Sequence, residues 1–170
     1  MTSELLDQAL VEEATKKSGL IWVKAAGAPA AHALWHVWHE GAVCLVGDGT
    51  GEQPLTGLTD GGTAEVTVRS KDKGGRLVSF PVKVVEPAPE SEAWQAAVAE
   101  LKGKRLNAPD GEAMVERWAR ECRVLRLEPS GSVLPLPDGS LAAVPVASSA
   151  TTREAVPAGL PRLLFKKRKR

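Results

Sequence analysis

The sequence lacks most of the features that announce a chemistry. It has two cysteines, Cys44 and Cys122, far apart and in no Cys-x-x-Cys. They read as two reduced, buried thiols of a cytoplasmic protein rather than as a disulfide. No stretch approaches the roughly 20 apolar residues that span a bilayer. The first residues, MTSELLDQALVEEATKK, are acidic and amphipathic with no apolar h-region, so neither a membrane span nor a secretory leader is expected. There is no His-Glu-x-x-His, no Gly-x-Ser-x-Gly, no Ser-His-Asp ordering and no Gly-x-Gly-x-x-Gly after a strand. Hydrolase and dinucleotide-fold chemistries therefore have no foothold.

What is present suits one folded domain with a tail. Of 170 residues, 43% are hydrophobic and 25% charged, enough for a real core under an ordinary surface. The net charge of +1 is unevenly spread. Arg153, Arg162, Lys166, Lys167, Arg168, Lys169 and Arg170 face only Glu154 in the last stretch, so the body is acidic and the end basic. An acidic body is not the footprint of a dedicated nucleic-acid domain. The tail Lys166 to Arg170 could touch nucleic acid, anionic lipid or an acidic partner, or be plain solvated charge.

Periodicity places the elements. Thr2 or Ser3 can cap a first helix whose Leu6, Leu10 and Ala14 line one face, with Lys16 and Lys17 at its end and Gly19 as its stop. The period then drops to two. Leu20–Ala26, Ala31–His39 and Ala42–Val46 read as strands, joined by Gly27-Ala28-Pro29 and by a tight Glu40-Gly41 turn. After the loop Gly47–Gly51, Ala64, Val66 and Val68 alternate with polar residues. Lys71–Gly75 turns the chain, and Val78, Phe80, Val82 and Val84 alternate back. Pro81 lacks a ladder donor and predicts an edge or a bulge. Ser91 caps a helix burying Trp94, Ala97, Val98 and Leu101. A second helix near Pro109-Asp110 buries Met114, Val115 and Trp118, and Arg123–Leu127 is a last strand. Short connections and few edges favour a mainly antiparallel, six-stranded barrel over residues 1–128, with a helical insertion at 90–120. Residues 129–147 read as an irregular extension and 148–170 as a disordered basic tail.

The run Gly27-x-Pro29-x4-Leu34-Trp35-His36-Val37-Trp38-His39-Glu40-Gly41, followed by Ala42–Val46 and by Gly49-Thr50, resembles the second and third strands of the pyridoxamine 5′-phosphate oxidase-like split β-barrel proteins. The resemblance spans about residues 5–128 and rests on strand order and the tryptophan-rich hairpin. It implies a six-stranded split barrel and a homodimer. FMN or the deazaflavin F420, less often haem, would lie in the groove between subunits, for oxidoreductase work on a small-molecule substrate. In that family a Ser/Thr and a Lys/Arg after the third strand grip the cofactor phosphate. Here Gly49 and Thr50 keep the loop, but Gly51-Glu52-Gln53-Pro54 replaces the cation, and Glu52 would repel phosphate.

The cofactor-binding candidates are therefore His32, His36, Gly49, Thr50, Gln53 and Arg69, with no catalytic residue assigned. Arg69, Lys71, Lys73 and Arg76 cluster around the second hairpin and could reach a phosphate or an anionic tail. Lys71 and Lys73 read rather as a solvated hairpin end, whereas Arg69 continues the strand face of Glu65 and Thr67. His32, His36 and His39 are the only histidines. On a strand, His32 and His36 share a face with Leu34 and Trp38 while His39 turns away, so no metal site is expected. They read as structural, with the ring edge of a cofactor, its substrate or a haem iron as the alternative partner. Trp35 and Trp38 fall on opposite strand faces and cannot serve one ligand from one subunit. The competing reading is a non-catalytic split barrel that has lost the phosphate site and acts as a ligand-binding or interaction module.

Overall fold

The structure, a computed structural model, describes residues 3–72 and 75–135. The tail from 148 onward and most of the 129–147 extension lie outside the described residues, as does Lys73. The elements run α1 Ser3–Lys17, β1 Leu20–Ala25, β2 His32–Trp35, β3 Val37–His39, β4 Ala42–Gly47, β5 Thr63–Arg69, β6 Arg76–Val85, α2 Glu92–Lys104, α3 Met114–Glu121 and β7 Arg123–Pro129. All strand pairings are antiparallel, in the order β2-β1-β5-β6-β7-β4-β3.

That order closes the sheet. The first and last strands, β2 and β3, are one stretch of chain interrupted only at His36, so a single long strand pairs with β1 at one end and β4 at the other. Counted this way the seven segments are the six expected strands. Glu40 and Gly41 both have positive φ, 46° and 74°, as a two-residue hairpin turn of the primed kind requires.

Alternation decides what fills the barrel. Ile21, Val23, Val66, Val68, Val78, Phe80, Val82 and Val84 form the inner core with Val43, Leu45, Leu125 and Leu127. Every residue of β4 is buried, because its other face lies under the helices. There Cys44, Val46 and Val124 meet Trp94, Ala97, Val98, Leu101, Met114 and Trp118 in a second core. Ser91 caps α2, its hydroxyl accepting from Trp94 N at 3.3 Å. Cys44 and Cys122 are unpaired, and burial pushes the Cys44 thiol up to about 11.

Two expectations fail. Pro81 is not on an edge strand: β6 lies between β5 and β7, and the bulge falls at Val68/Arg69. The proline is tolerated because the β7 ladder starts one residue on, at Val82. There the chain bends away, with Ser130 N donating to Pro81 O and Leu134 N to Ser79 O. The roll of α1 also differs. Val11 and Thr15 are its buried residues, while Leu6 and Leu10 are 54% and 47% exposed and Ala14 is only partly covered. Leu5 is exposed too, so this helix offers three leucines to whatever lies outside.

Candidate functional site

The loop after β4 is folded by its own glycines. A Cβ at Gly47 would lie 2.2 Å from Gln53 O, and one at Gly49 would lie 2.2 Å from Cys122 Sγ. Both glycines therefore serve close packing. Asp48 N donates to Gln53 O, Glu52 N to Gly49 O, and Leu55 N to Asp48 Oδ1. The carbonyls of Thr50 and Gly51 accept from Arg117 Nη1 and Arg105 Nη2, at 3.0 and 3.3 Å.

Glu52 is the centre of this cluster. Its side chain is 1% exposed and is held by Arg105 Nε at 3.2 Å, Arg117 Nη2 at 3.1 Å and Trp118 Nε1 at 3.1 Å. Arg117 also binds Asp110. The bond to Arg117 holds the Asp110 carboxyl below the usual range, and that carboxylate, with Glu52, raises the guanidinium in turn. A buried carboxylate with two guanidiniums and an indole N–H is a satisfied charge. Arg123 ties the loop's other side down through Asp48, Glu86 and the Leu58 carbonyl.

Gln53 and His36 pin the interruption in the long strand. The Gln53 amide accepts from Trp35 N and donates to Trp35 O, both at 2.9 Å, and also donates to Val46 O at 3.2 Å. It takes over the backbone pairing that the interruption removes. His36 is fully buried, and its Nε2 donates to Thr15 O at 2.9 Å, joining the strand to the end of α1. Its Nδ1 has no partner among the described residues. Burial pushes the ring down to about 4, the Thr15 bond opposing, so it is neutral at pH 7.

The six candidate residues are thus divided. His36, Gly49, Thr50 and Gln53 gather round the loop and the strand interruption, with their polar groups engaged internally except for His36 Nδ1 and the Thr50 hydroxyl. His32 is exposed at the start of β2, opposite Val23. Alternation carries through the interruption, with Leu34 and Trp38 toward the inner core and Trp35 and Val37 toward the outer. His32 and His36 therefore keep the expected shared face and differ in depth: His36 is buried, and His32, at the strand's start, is exposed. Trp35 and Trp38 do separate, packing against the outer and inner cores respectively.

Arg69 lies apart, on the outward face of β5. Its guanidinium stacks 4.7 Å above the Trp22 ring, and it forms no ion pair among the described residues. Beside it, a groove of about 550 Å³ runs between α1 and the β5–β6 hairpin. Leu10, Glu13, Lys17, Arg69, Lys71 and Leu77 line it, with Lys17 paired to Glu13 at 2.8 Å. Lys104, at the end of α2, is held below the usual lysine range by burial and then by Lys71. Leu20 and Leu77, both about half exposed, border the same face. Lys17 and Lys104 were not singled out from sequence as site residues. Only the register Trp22↔Thr67 brings β1 beside β5 and Trp22 within reach of Arg69.

A cofactor phosphate does not fit the loop after β4. Its nearby arginines are already neutralised by Glu52, and two of its carbonyls face those arginines. The Trp22–Arg69 face fits a flat ring with an anionic tail better: a half-buried indole, a guanidinium with no ion pair among the described residues, and a groove of net positive charge. No group of histidine, cysteine and carboxylate residues suited to a metal ion occurs among the described residues.

Strand order, the single strand closing the sheet and the helices over β4 define a split β-barrel, the fold of the pyridoxamine 5′-phosphate oxidase-like proteins. Solved structures share it, two of them as follows. The haem storage protein HutZ of Vibrio cholerae is 10% identical, over 73% of this chain and 90% of that one, with a TM-score of 0.55. The conserved hypothetical protein Rv2991 of Mycobacterium tuberculosis is 16% identical, over 88% and 95%, with a TM-score of 0.53. No family model and no curated protein sequence matches the chain.

Proposed function

We propose that this protein is a homodimeric split-barrel cofactor protein, holding a flavin (FMN) or a deazaflavin (F420) on the outward Trp22–Arg69 face between two subunits. The observation that carries the reading is the unpaired Arg69 guanidinium on Trp22 at the head of a cationic groove. Exposed Leu6, Leu10, Leu20 and Leu77 surround that face and supply apolar area for a second copy. The ring would lie beside the Trp22–Arg69 stack, and Arg69 and Lys71 would take the phosphate or carboxylate tail, Lys17 being paired with Glu13.

When bound, such a cofactor supplies the hydride chemistry, so the lack of an acid–base dyad is no objection to an oxidoreductase acting on a small molecule in the cytoplasm. Among the described residues, no helix is long and apolar enough to cross a membrane. His32, exposed at the start of β2 opposite Val23, lies on the other face of the sheet from Trp22, so in this reading it would approach a ring edge or substrate only from the second subunit. Haem, the cargo named for the Vibrio protein, is the third candidate, with His32 as its available imidazole. The fully buried His36 is not available without opening the barrel.

One observation favours a second reading, a non-catalytic binding module. Glu52 uses both arginines nearest the loop that grips phosphate in the family. The visible absorption spectrum of the protein purified from its native host separates the two. A flavin, deazaflavin or Soret band, with thermal stabilisation by the matching cofactor, supports the first. Colourless protein whose melting temperature ignores FMN, FAD, F420 and haemin supports the second.

A further inference from the structure

Under the N-terminal half of α1, at the mouth of the barrel, lies a partly enclosed cavity of about 430 Å³, within the range of small-molecule sites. Its floor is apolar: Val11, Trp38, Phe80 and Val133 line it and belong to, or pack against, the inner core. Its rim carries Glu4, Asp7 and Glu12, and none of the residues lining it is basic. Glu12 is paired with Lys16, whereas Glu4 and Asp7 form no ion pair among the described residues.

The roll of α1 makes this cavity more than an acidic patch. A helix with Leu5, Leu6 and Leu10 available could have laid leucine over Trp38 and Phe80. Instead it turns the leucines outward and sets carboxylates beside an aromatic floor. The helix dipole accounts for Glu4 in the first turn but not for Asp7 or Glu12 further along. Carboxylates against a low-dielectric wall favour a cation between them. A bare metal ion is not indicated, because the described residues hold no group of metal-ligating side chains. A cation carrying its own apolar body satisfies both halves of the cavity, its charge toward Asp7 and Glu4 and its body over Trp38 and Val133.

We infer that this cavity binds an organic cation, an ammonium group on an aryl or alkyl body, at a site separate from the Trp22–Arg69 face. The test titrates phenethylamine and benzyltrimethylammonium into the full chain by calorimetry and tryptophan fluorescence. Phenethyl alcohol and phenylacetate serve as the neutral and anionic counterparts. The expected result is saturable binding of both cations, at least about tenfold tighter than the alcohol, with no binding of phenylacetate. The double variant Glu4→Gln/Asp7→Asn should lose about tenfold in cation affinity while melting as wild type and binding FMN or F420 as wild type does. Trp38→Phe should abolish the fluorescence response. Cations that bind no better than the alcohol, or bind the double variant as well as wild type, would overturn the inference. Its outcome is independent of the cofactor, since the cations are titrated with none present.

Discussion

Arg117 and Arg69 both lie beside a tryptophan, and the fold uses them in opposite ways. Under α2 and α3, Arg117 joins Arg105 and the Trp118 N–H on the buried carboxylate of Glu52, leaving no charge unanswered. On the outward face of β1 and β5, Arg69 rests on Trp22 and forms no ion pair among the described residues. The first region is closed and welds the helices to the loop after β4. The second is open, bordered by exposed leucines, and is where a ligand and a second subunit can be answered. Sharing a fold with cofactor-binding proteins does not decide which loop holds a ligand; the residual, unanswered groups do.

The largest effect should come from breaking the closed region. Glu52→Ala leaves two guanidiniums and an indole N–H without their acceptor, and should cost about 3–5 kcal/mol in urea unfolding. If the loss is below about 1 kcal/mol, the cluster is not the weld described. Acid should produce the next effect through His36. Its folded value, about 4, lies below the ordinary value of 6.5, so its contribution is complete above pH 6.5 and lost as pH falls toward 4. About 2–3 kcal/mol should disappear across that window, and His36→Phe should flatten this part of the stability profile. Gly49→Ala drives a methyl into Cys122 Sγ and should cost about 1–3 kcal/mol, partly restored by Cys122→Ala in the same chain.

The open region should respond differently. Arg69→Ala removes a cation–π contact and should cost only about 0.5–1 kcal/mol of stability while sharply weakening anionic cofactor binding. Leu10→Glu should leave unfolding within about 0.5 kcal/mol of wild type, yet shift sedimentation from dimer to monomer. A large loss of stability in either would mean that the outward face is structural after all.

The barrel was legible because strands announce themselves. Alternation in β5 and β6, the Glu40-Gly41 turn and the Ser91 cap all act over a few residues. The interruption at His36 was not legible, because Trp35, Val37 and Trp38 are strand formers on both sides and only the bonds from Gln53 and Thr15 reveal it. The roll of α1 misled because two stripes compete on one helix, Leu6 and Leu10 against Val11 and Thr15, and tertiary packing chose the less apolar one. Glu52 read from sequence as an anion in a phosphate loop. Its partners Arg105 and Arg117 are 53 and 65 residues away, beyond any local pattern. Arg69 was visible as a lone cation on a strand face, but its aromatic partner needed the β1–β5 register.

The most direct test of this division is a binding titration of FMN and F420 against wild type, Arg69→Ala and Thr50→Ala, followed by tryptophan fluorescence. The account predicts saturable binding that Arg69→Ala weakens by about tenfold or more and Thr50→Ala leaves unchanged. Binding that survives Arg69→Ala and is lost in Thr50→Ala would contradict it, returning the ligand to the loop that Glu52 closes.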